Sequence, residues 1–221
     1  MLAEDKNINV EEQIISYCKD NICSQDIKHP LYPSRLGAYE LFRAHGLPTT
    51  RNEQWKYTNI AAKLEKIPSQ SEIKPVPVNL DNFINNFEIV KKAKENKDSV
   101  LVFMDGAMQS QLSAVNSESK TISISSLKKD PIPDWAIKLN SKKHSQNVNE
   151  LFNLNTALME DGALINISDN GGIADTIYII HVGNNDGFYN YRHMINVENG
   201  AHVNIIEFKI SNKTNIEALY T

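Results

Sequence analysis

One phrase written twice constrains this chain more than any other feature. Glu160-Asp-Gly-Ala-Leu-Ile-Asn-Ile167 returns as Glu198-Asn-Gly-Ala-His-Val-Asn-Ile205, a shift of 38 residues (198 − 160). The copies share Glu, Gly, Ala, Asn and the final Ile, and Ile165/Val203 is a conservative exchange. Each predicts a glycine-centred turn feeding a short strand. In that strand Ile165 and Ile167, or Val203 and Ile205, face one side, and Asn166 and Asn204 face the other. A lone strand of this kind cannot bury its apolar side, whereas stacked coils can. The recurrence therefore reads as one rung of a β-solenoid seen twice. A β-sandwich that echoes a turn-strand phrase is the competing architecture. Further β-rich runs, Thr176 to Val182 and Met194 to Val197, lie between the copies.

The segment ahead of the first copy has helical spacing. Val148, Leu151, Phe152, Leu158 and Met159 fall on one face of a helix from Asn147 to Met159. Asn147 is placed to cap it, with Glu150 three residues on. Asp161-Gly162 is expected to stop it, glycine accepting a left-handed turn at least cost. Asn155 lies on the apolar stripe, so it is expected to be buried and to tie the helix to a neighbouring turn.

Upstream, residues 1 to about 62 read as helices. Val10, Ile14, Tyr17 and Cys18 form one stripe, and Leu36, Tyr39 and Phe42 a second that ends at Gly46 and Pro48. Thr50-Arg-Asn-Glu53 predicts a third helix through Trp55 and Ile60. Pro68, Pro75 and Pro77 mark an extended connection from Ile67 to Val78, followed by a helix from about Leu80 to Lys94. The texture then changes. Val100 to Phe103 reads as a strand, Asp105-Gly106 as a two-residue hairpin turn, and Met108 to Leu112 as its return. Thr121 to Ile124 alternates like a strand, and Trp135 begins a short helix. The fold class expected is α+β: a helical N-terminal domain over residues 1–95, then a β-rich region over 96–221.

A chain of 221 residues buries roughly 70% of its unfolded surface when it folds. Its net charge of −4 and pI near 5.9 give no general attraction to nucleic acid or to an anionic membrane. No apolar run reaches the length of a membrane span, and Met1-Leu-Ala-Glu-Asp lacks the basic start and apolar centre of a signal peptide. Cys18 and Cys23 are the only cysteines, which fits a cytosolic protein without disulfide staples.

The candidate chemistry is thin. Cys18 and Cys23 are five apart on a predicted helix, a spacing that separates them, so both read as small apolar fillers rather than metal ligands. His181, His193 and His202 all lie near the repeat, where imidazoles from adjacent rungs could meet on a metal. Parity argues against all three converging: His202 goes with Asn204 on the outward face and His181 with Ile177 and Ile179. A hydrogen-bonded or surface histidine is the expectation for each, and no metal site is expected. Glu160, Asp161 and Glu198 sit in turns of the repeat, which accounts for them without catalysis. Arg192 is the sole arginine of that region and has no acidic cluster beside it in sequence. Neither a phosphate-binding glycine loop nor a dinucleotide fingerprint is present, and no catalytic or cofactor-binding residue is nominated.

Two phrases carry a resemblance. Gly46-Leu-Pro-Thr-Thr-Arg-Asn-Glu-Gln-Trp-Lys-Tyr-Thr58 and Leu151-Phe-Asn-Leu-Asn-Thr-Ala-Leu-Met-Glu-Asp-Gly162 closely resemble the SufB/SufD family of iron–sulfur cluster assembly components. Val102-Phe-Met-Asp-Gly106, Leu112-Ser113 and Tyr191-Arg-His-Met-Ile-Asn-Val-Glu-Asn-Gly-Ala201 follow in the family's order. The likeness covers most of residues 36 to 210. The wording around Trp55 and from Leu154 to Gly162, with no cysteine in the β region, is nearer the SufD-like branch than the SufB-like one.

The resemblance implies a helical N-terminal domain followed by the first coils of a right-handed parallel β-helix. Family members continue into further coils and a C-terminal helical domain. Since this chain ends in strand-like sequence, it is expected to be the front part of a longer protein. The resemblance further implies a non-catalytic scaffold of the SufBCD type in the cytoplasm, partnered by a SufB-like paralogue and a SufC-like ATPase. It implies no resident cofactor in this chain, an iron–sulfur cluster being held transiently by the complex. An open solenoid edge would favour self-association. The alternatives are a β-solenoid binding or adhesion module and, behind it, a β-helix carbohydrate-active enzyme, which would need acidic and basic residues clustered on one face.

Overall fold

The computed structural model describes residues 9–64, 88–116, 118–141, 149–169, 175–183, 187–211 and 217–220. They belong to two compact units. One draws on residues up to Pro68 and on Asn140–Leu158; the other draws on Ser69–Leu139 and Met159–Tyr220. The break at Pro68 lies at the start of the expected connection, within the linker that closes the 1–95 segment. The helix before the first repeat copy also groups with the N-terminal helices, not with the strands that follow it.

In the helical unit, α1 (Val10–Cys23) begins at a reciprocal cap. Glu12 N–H donates to Asn9 Oδ1 at 2.9 Å, and Asn9 N–H donates to the Glu12 carboxylate at 3.3 Å. Ile14, Cys18 and Ile22 are buried along one face. α2 (Tyr32–His45) carries a proline in its first turn and stops at Gly46, whose φ of 74° is the left-handed conformation glycine accepts freely. Tyr39 and Phe42 are buried as expected, whereas Leu36 is exposed.

The third helix does not form as one piece. Thr49 N–H and Oγ1–H both donate to Asn52 Oδ1, at 3.2 and 3.0 Å. Short polar side chains of this kind bond locally and compete with helix. The result is a single 3-10 turn, Glu53–Trp55, and a separate one-turn α3 (Ile60–Lys63) capped by Asn59. The proline-rich stretch from Ile67 to Val78 and the start of the next expected helix lie outside the described residues. That helix is described from Glu88 as α4 (Glu88–Glu95).

α5 spans Asp134–Ser141 and includes Trp135 as expected. α6 (Glu150–Leu158) is capped by Asn149, whose Oδ1 accepts from Phe152 N–H at 2.9 Å; Asn147 lies outside the described residues. Of the expected stripe, Leu151, Asn155, Leu158 and Met159 are buried and Phe152 is half-buried; Leu154, Thr156 and Ala157 are buried as well, so the helix is covered on more than one side. α6 joins α2 through Arg35, whose Nε–H donates to the Ala157 carbonyl at 3.2 Å.

The strand unit contains β1 (Ser99–Met104), β2 (Ala107–Met108), β3 (Ile122–Ser126), β4 (Ala163–Ile167) and β5 (Asp175–Gly183). β6 (Phe188–Tyr191), β7 (Met194–Val197), β8 (Val203–Ser211) and β9 (Glu217–Tyr220) follow. They form sheets of order β2-β1-β5-β8, β3-β4-β7 and β6-β9. Asp105-Gly106 makes the expected hairpin turn, with φ of 44° and 86°. Its return strand is shorter than predicted, ending at Met108.

β1 is apolar on both sides because both sides are covered. Leu101 and Phe103 pack with Ala163, Ile165, Ile167, Ile177, Ile179 and Tyr191 in one core. Val100 and Val102 pack with Ile180, Val182 and the buried Val90 and Ala93 of α4 in a second.

The two repeat copies do not pair with each other. β4 pairs in parallel with β7, and β8 with β5, in different sheets. The three parallel pairings β4–β7, β5–β8 and β6–β9 advance by 30, 28 and 29 residues (Leu164 to Met194, Asp175 to Val203, Phe188 to Glu217). A 38-residue shift overshoots that advance by one strand and lands in the neighbouring sheet. The copies are therefore not one rung position seen twice.

Gly162 also differs from expectation. Its φ is not positive; instead, a Cβ there would lie 1.9 Å from the Arg192 carbonyl oxygen. Glycine is needed at 162 for close approach of two backbones, and at 200, with φ 79°, for the turn.

Candidate functional site

Polar groups in the strand unit concentrate where the β6–β7 connection meets β4 and β5. Asp161 is fully buried, and four donors converge on its carboxylate. Met108 N–H donates to Oδ2 at 2.8 Å. Ser126 Oγ–H, Lys128 N–H and Gly162 N–H donate to Oδ1 at 2.9, 3.2 and 2.8 Å. Its own carbonyl accepts from Arg192 N–H at 3.0 Å. Read from sequence as a turn residue, Asp161 is instead a buried anchor that ties β2, β3 and the β6–β7 connection to the start of β4. Its oxygens are saturated by donors, so it is not a free base.

Beside it stands an aromatic–imidazole group. His181 leaves β5 on the same side as Ile177 and Ile179, as parity predicted, and is 1% exposed. Its ring lies 4.6 Å from Tyr191 and 5.2 Å from His193, centroid to centroid, and Phe103 is 4.9 Å from His193. Tyr191 Oη accepts from Gly106 N–H at 2.7 Å, which fixes the hairpin turn against the group.

His193, partly buried, has its Nδ1 held by Ala163 N–H at 2.9 Å. Its Nε2 lies 3.4 Å from His181 Nε2, which is in turn 2.8 Å from Glu207 Oε1. These three donor atoms all lie within 4.8 Å of one another. His202 is exposed and stands outside the cluster. Two of the three histidines thus converge, joined by a carboxylate that sequence reading did not single out. Glu207 pairs in register with Ile179, while Lys209 pairs with His181. Glu207 reaches His181 along the diagonal open to long side chains. The signal that would have found it is the 28-residue advance of β5 to β8.

Burial pushes His181 down to about 3, with the charges of His193 and Lys209 acting in the same sense. Burial likewise pushes His193 down to about 4; Asp161 opposes this and Lys209 reinforces it. Both imidazoles are therefore neutral at pH 7, each ring with one lone pair, that of His193 on the Nδ1 that accepts from Ala163 N–H. The remaining sequence candidates stay apart. Cys18 is buried in α1 and its thiol is pushed up to about 12, whereas Cys23 is exposed rather than a core filler. Arg192 is buried, and burial pushes its guanidinium down to about 10, so it remains a cation at neutral pH.

Residues 9–179, more than three quarters of the chain, match the family described as SufBD protein N-terminal region. The chain belongs to the SufBD family of iron–sulfur cluster assembly proteins. A search of the curated proteins finds no match. The SufBD match spans both compact units, from the cap of α1 into β5. It includes Asp161 and stops before His181, His193 and Glu207. Among the described residues no helix is long and apolar enough to cross a membrane.

Proposed function

We propose that this chain is a non-catalytic scaffold subunit of a SufBCD-type complex, of the SufD-like branch, acting in the cytoplasm. Its partners are a SufB-like paralogue and a SufC-like ATPase, and the cluster is cargo of the assembled complex rather than a resident cofactor. The observation that carries this reading is the family match over residues 9–179.

The geometry supports a scaffold in two ways. The three parallel pairings with advances of 28 to 30 residues are what successive coils of a parallel β-helix would produce. Such a stack offers a long rigid surface on which subunits can dock. Among the described residues, Ile195 and Val197 of β7 and Ile205 and Ile206 of β8 are more than a third exposed, on the outermost strands of their sheets. The carbohydrate-enzyme alternative is less well supported, since Asp161 is saturated by donors and Glu207 faces two histidines rather than a second carboxylate.

The test is gentle purification of the tagged native gene product, with identification of whatever accompanies it in stoichiometric amounts. A SufC-like ATPase together with a SufB-like paralogue, and loss of cluster transfer when the subunit is deleted, are the expected results. A protein that emerges alone, with cluster supply intact in the deletion strain, overturns the proposal.

A further inference from the structure

We propose that His181, His193 and Glu207 form a binding site for one divalent first-row transition metal of the zinc or ferrous class. It is held by His181 Nε2, His193 Nε2 and a Glu207 oxygen, with an exogenous ligand in the fourth position. The inference rests on the strand unit alone and is independent of the scaffold reading.

The first argument is distance. An ion about 2.05 Å from each of two imidazole nitrogens, at a tetrahedral angle, holds those nitrogens roughly 3.3 Å apart. The two Nε2 atoms stand 3.4 Å apart. Their spacing is already that of a chelating pair. The Glu207 oxygen, 2.8 Å from His181 Nε2 and within 4.8 Å of His193 Nε2, has to shift until it stands about 3.3 Å from both. It has the freedom to do so, because its side chain is 43% exposed while that of His181 is 1% exposed. That contrast also supplies an entry path: rigid nitrogens inside, a movable carboxylate at the rim.

The second argument is proton placement. Ala163 N–H points at His193 Nδ1, so neutral His193 carries its proton on Nε2, directed at His181 Nε2. If His181 Nε2 holds a lone pair to accept that proton, the same lone pair faces the Glu207 carboxylate. If it holds a proton for Glu207, two N–H groups face each other. No arrangement of the neutral rings and an ionised carboxylate satisfies both contacts. A cation at the centre satisfies both contacts, since each of the three atoms then presents a lone pair to it, and the mismatch moves out to the single pair His193 Nδ1 and Ala163 N–H.

Loading has one local consequence. The His193 proton moves from Nε2 to Nδ1, with no net proton release, where it meets the Ala163 N–H, so the ring has to turn away from that amide for the ion to be held. The donor set of two imidazoles and one carboxylate suits zinc, ferrous iron or cobalt rather than magnesium or calcium, which prefer all-oxygen shells. Lys209, in register with His181, opposes the cation electrostatically and sets a ceiling on affinity.

The experiment titrates the 221-residue chain, cleared of metal, with cobalt(II) alone and then with zinc in competition. The expected result is one equivalent bound, with the intense visible bands of tetrahedral cobalt and no thiolate charge-transfer band. On zinc addition the Ala163 amide resonance shifts. Glu207→Gln changes an accessible side chain and leaves the fold intact; it is expected to weaken binding by roughly tenfold or more, at least the effect of losing an outer-sphere partner of a metal ligand. His193→Gln is expected to act likewise, and Lys209→Gln to tighten binding several-fold. Affinity unchanged in both Glu207→Gln and His193→Gln, a cobalt–thiolate band abolished by Cys23→Ser, or an Ala163 amide that does not respond to zinc overturns the assignment.

Discussion

The two units solve the same problem, placing one buried acidic side chain among helices or strands, in different ways. In the helical unit, Glu150 at the start of α6 is 7% exposed and, among the described residues, accepts one side-chain hydrogen bond, from Asn52 Nδ2 at 3.0 Å. In the strand unit, Asp161 is fully buried and meets four donors from three separate segments. The helices need less from such a residue, because most of their backbone groups are satisfied within each helix. α1, α3 and α6 are capped locally, and single long-range bonds, Leu47 N–H to Glu11 and Arg35 to the Ala157 carbonyl, serve other ends. The strand unit is assembled from pieces distant in sequence. Its short connections leave N–H groups that no ladder serves, and a carboxylate gathers them. Stability in the helical unit is therefore spread over many local terms, and in the strand unit it converges on a few positions.

The largest expected effect comes from making the same substitution in each unit. Gly162→Ala places a Cβ 1.9 Å from the Arg192 carbonyl oxygen, which is backbone in the β6–β7 connection and cannot swing aside. We expect destabilisation of at least about 3 kcal/mol, the upper range for overpacking. Gly46→Ala is strained by its φ of 74°, but the nearest atom, 2.6 Å away, is the end of the Glu11 side chain. That carboxylate moves by loosening its bond from Leu47 N–H at 2.8 Å, so the expected loss is about 1–2 kcal/mol. Urea midpoints for the two variants measure the contrast. Equal losses would mean that the close approach at Gly162 relaxes as easily as a side chain does.

The acidic pair comes next. Asp161→Asn turns one acceptor into a donor facing donors, and is expected to cost about 2–3 kcal/mol through buried groups left without partners. Glu150→Gln retains an acceptor for Asn52 and should cost less than about 1 kcal/mol. Similar losses in the two variants would remove the distinction between a converged and a distributed arrangement.

Acid titration gives a smaller, graded effect that belongs to the strand unit. His181 and His193 are depressed to about 3 and about 4, while unfolded histidines titrate near 6.5. Below pH ~6.5 the unfolded chain binds protons that the folded one does not, so stability is full above that pH and falls as pH drops toward the folded values. Each histidine contributes a slope of at most about 1.4 kcal/mol per pH unit in that window. Urea midpoints between pH 7.5 and 4.5, in chelator, should decline, and His193→Gln should flatten the decline. An unchanged slope in the variant would place the titrating groups elsewhere.

The same contrast explains what could be read from the residues in order. Local chemistry announces itself: the spacing of Ile14 and Cys18, the Gly46 stop and the Asp105-Gly106 turn all lie where the pattern puts them. Register between distant strands does not. The repeated phrase suggested a 38-residue rung, but pairing follows the 28- to 30-residue advance, because hydrogen bonding and core packing select partners by face rather than by wording. Glu207 was silent for that reason, since nothing in its neighbourhood marks it until β8 is laid against β5. Asp161 looked like a turn residue because its four donors come from segments up to 53 positions away.

The smallest effect on stability is also the sharpest probe of the comparison. Cys23 is exposed, so Cys23→Ser should shift stability by no more than about 0.5 kcal/mol. The variant leaves Cys18 as the sole thiol, buried with Ile14 and Ile22 along α1 and pushed up to about 12 by that burial. A thiolate reagent then modifies Cys18 only when the helical unit opens. Introducing Gly162→Ala into this background separates two outcomes. If labelling of Cys18 stays as slow as in the parent, the helical unit keeps its own stability while the strand unit is lost, as expected of locally satisfied helices. If labelling accelerates by the full destabilisation, the units open as one, and the converged network around Asp161 supports α1 as well as the strands.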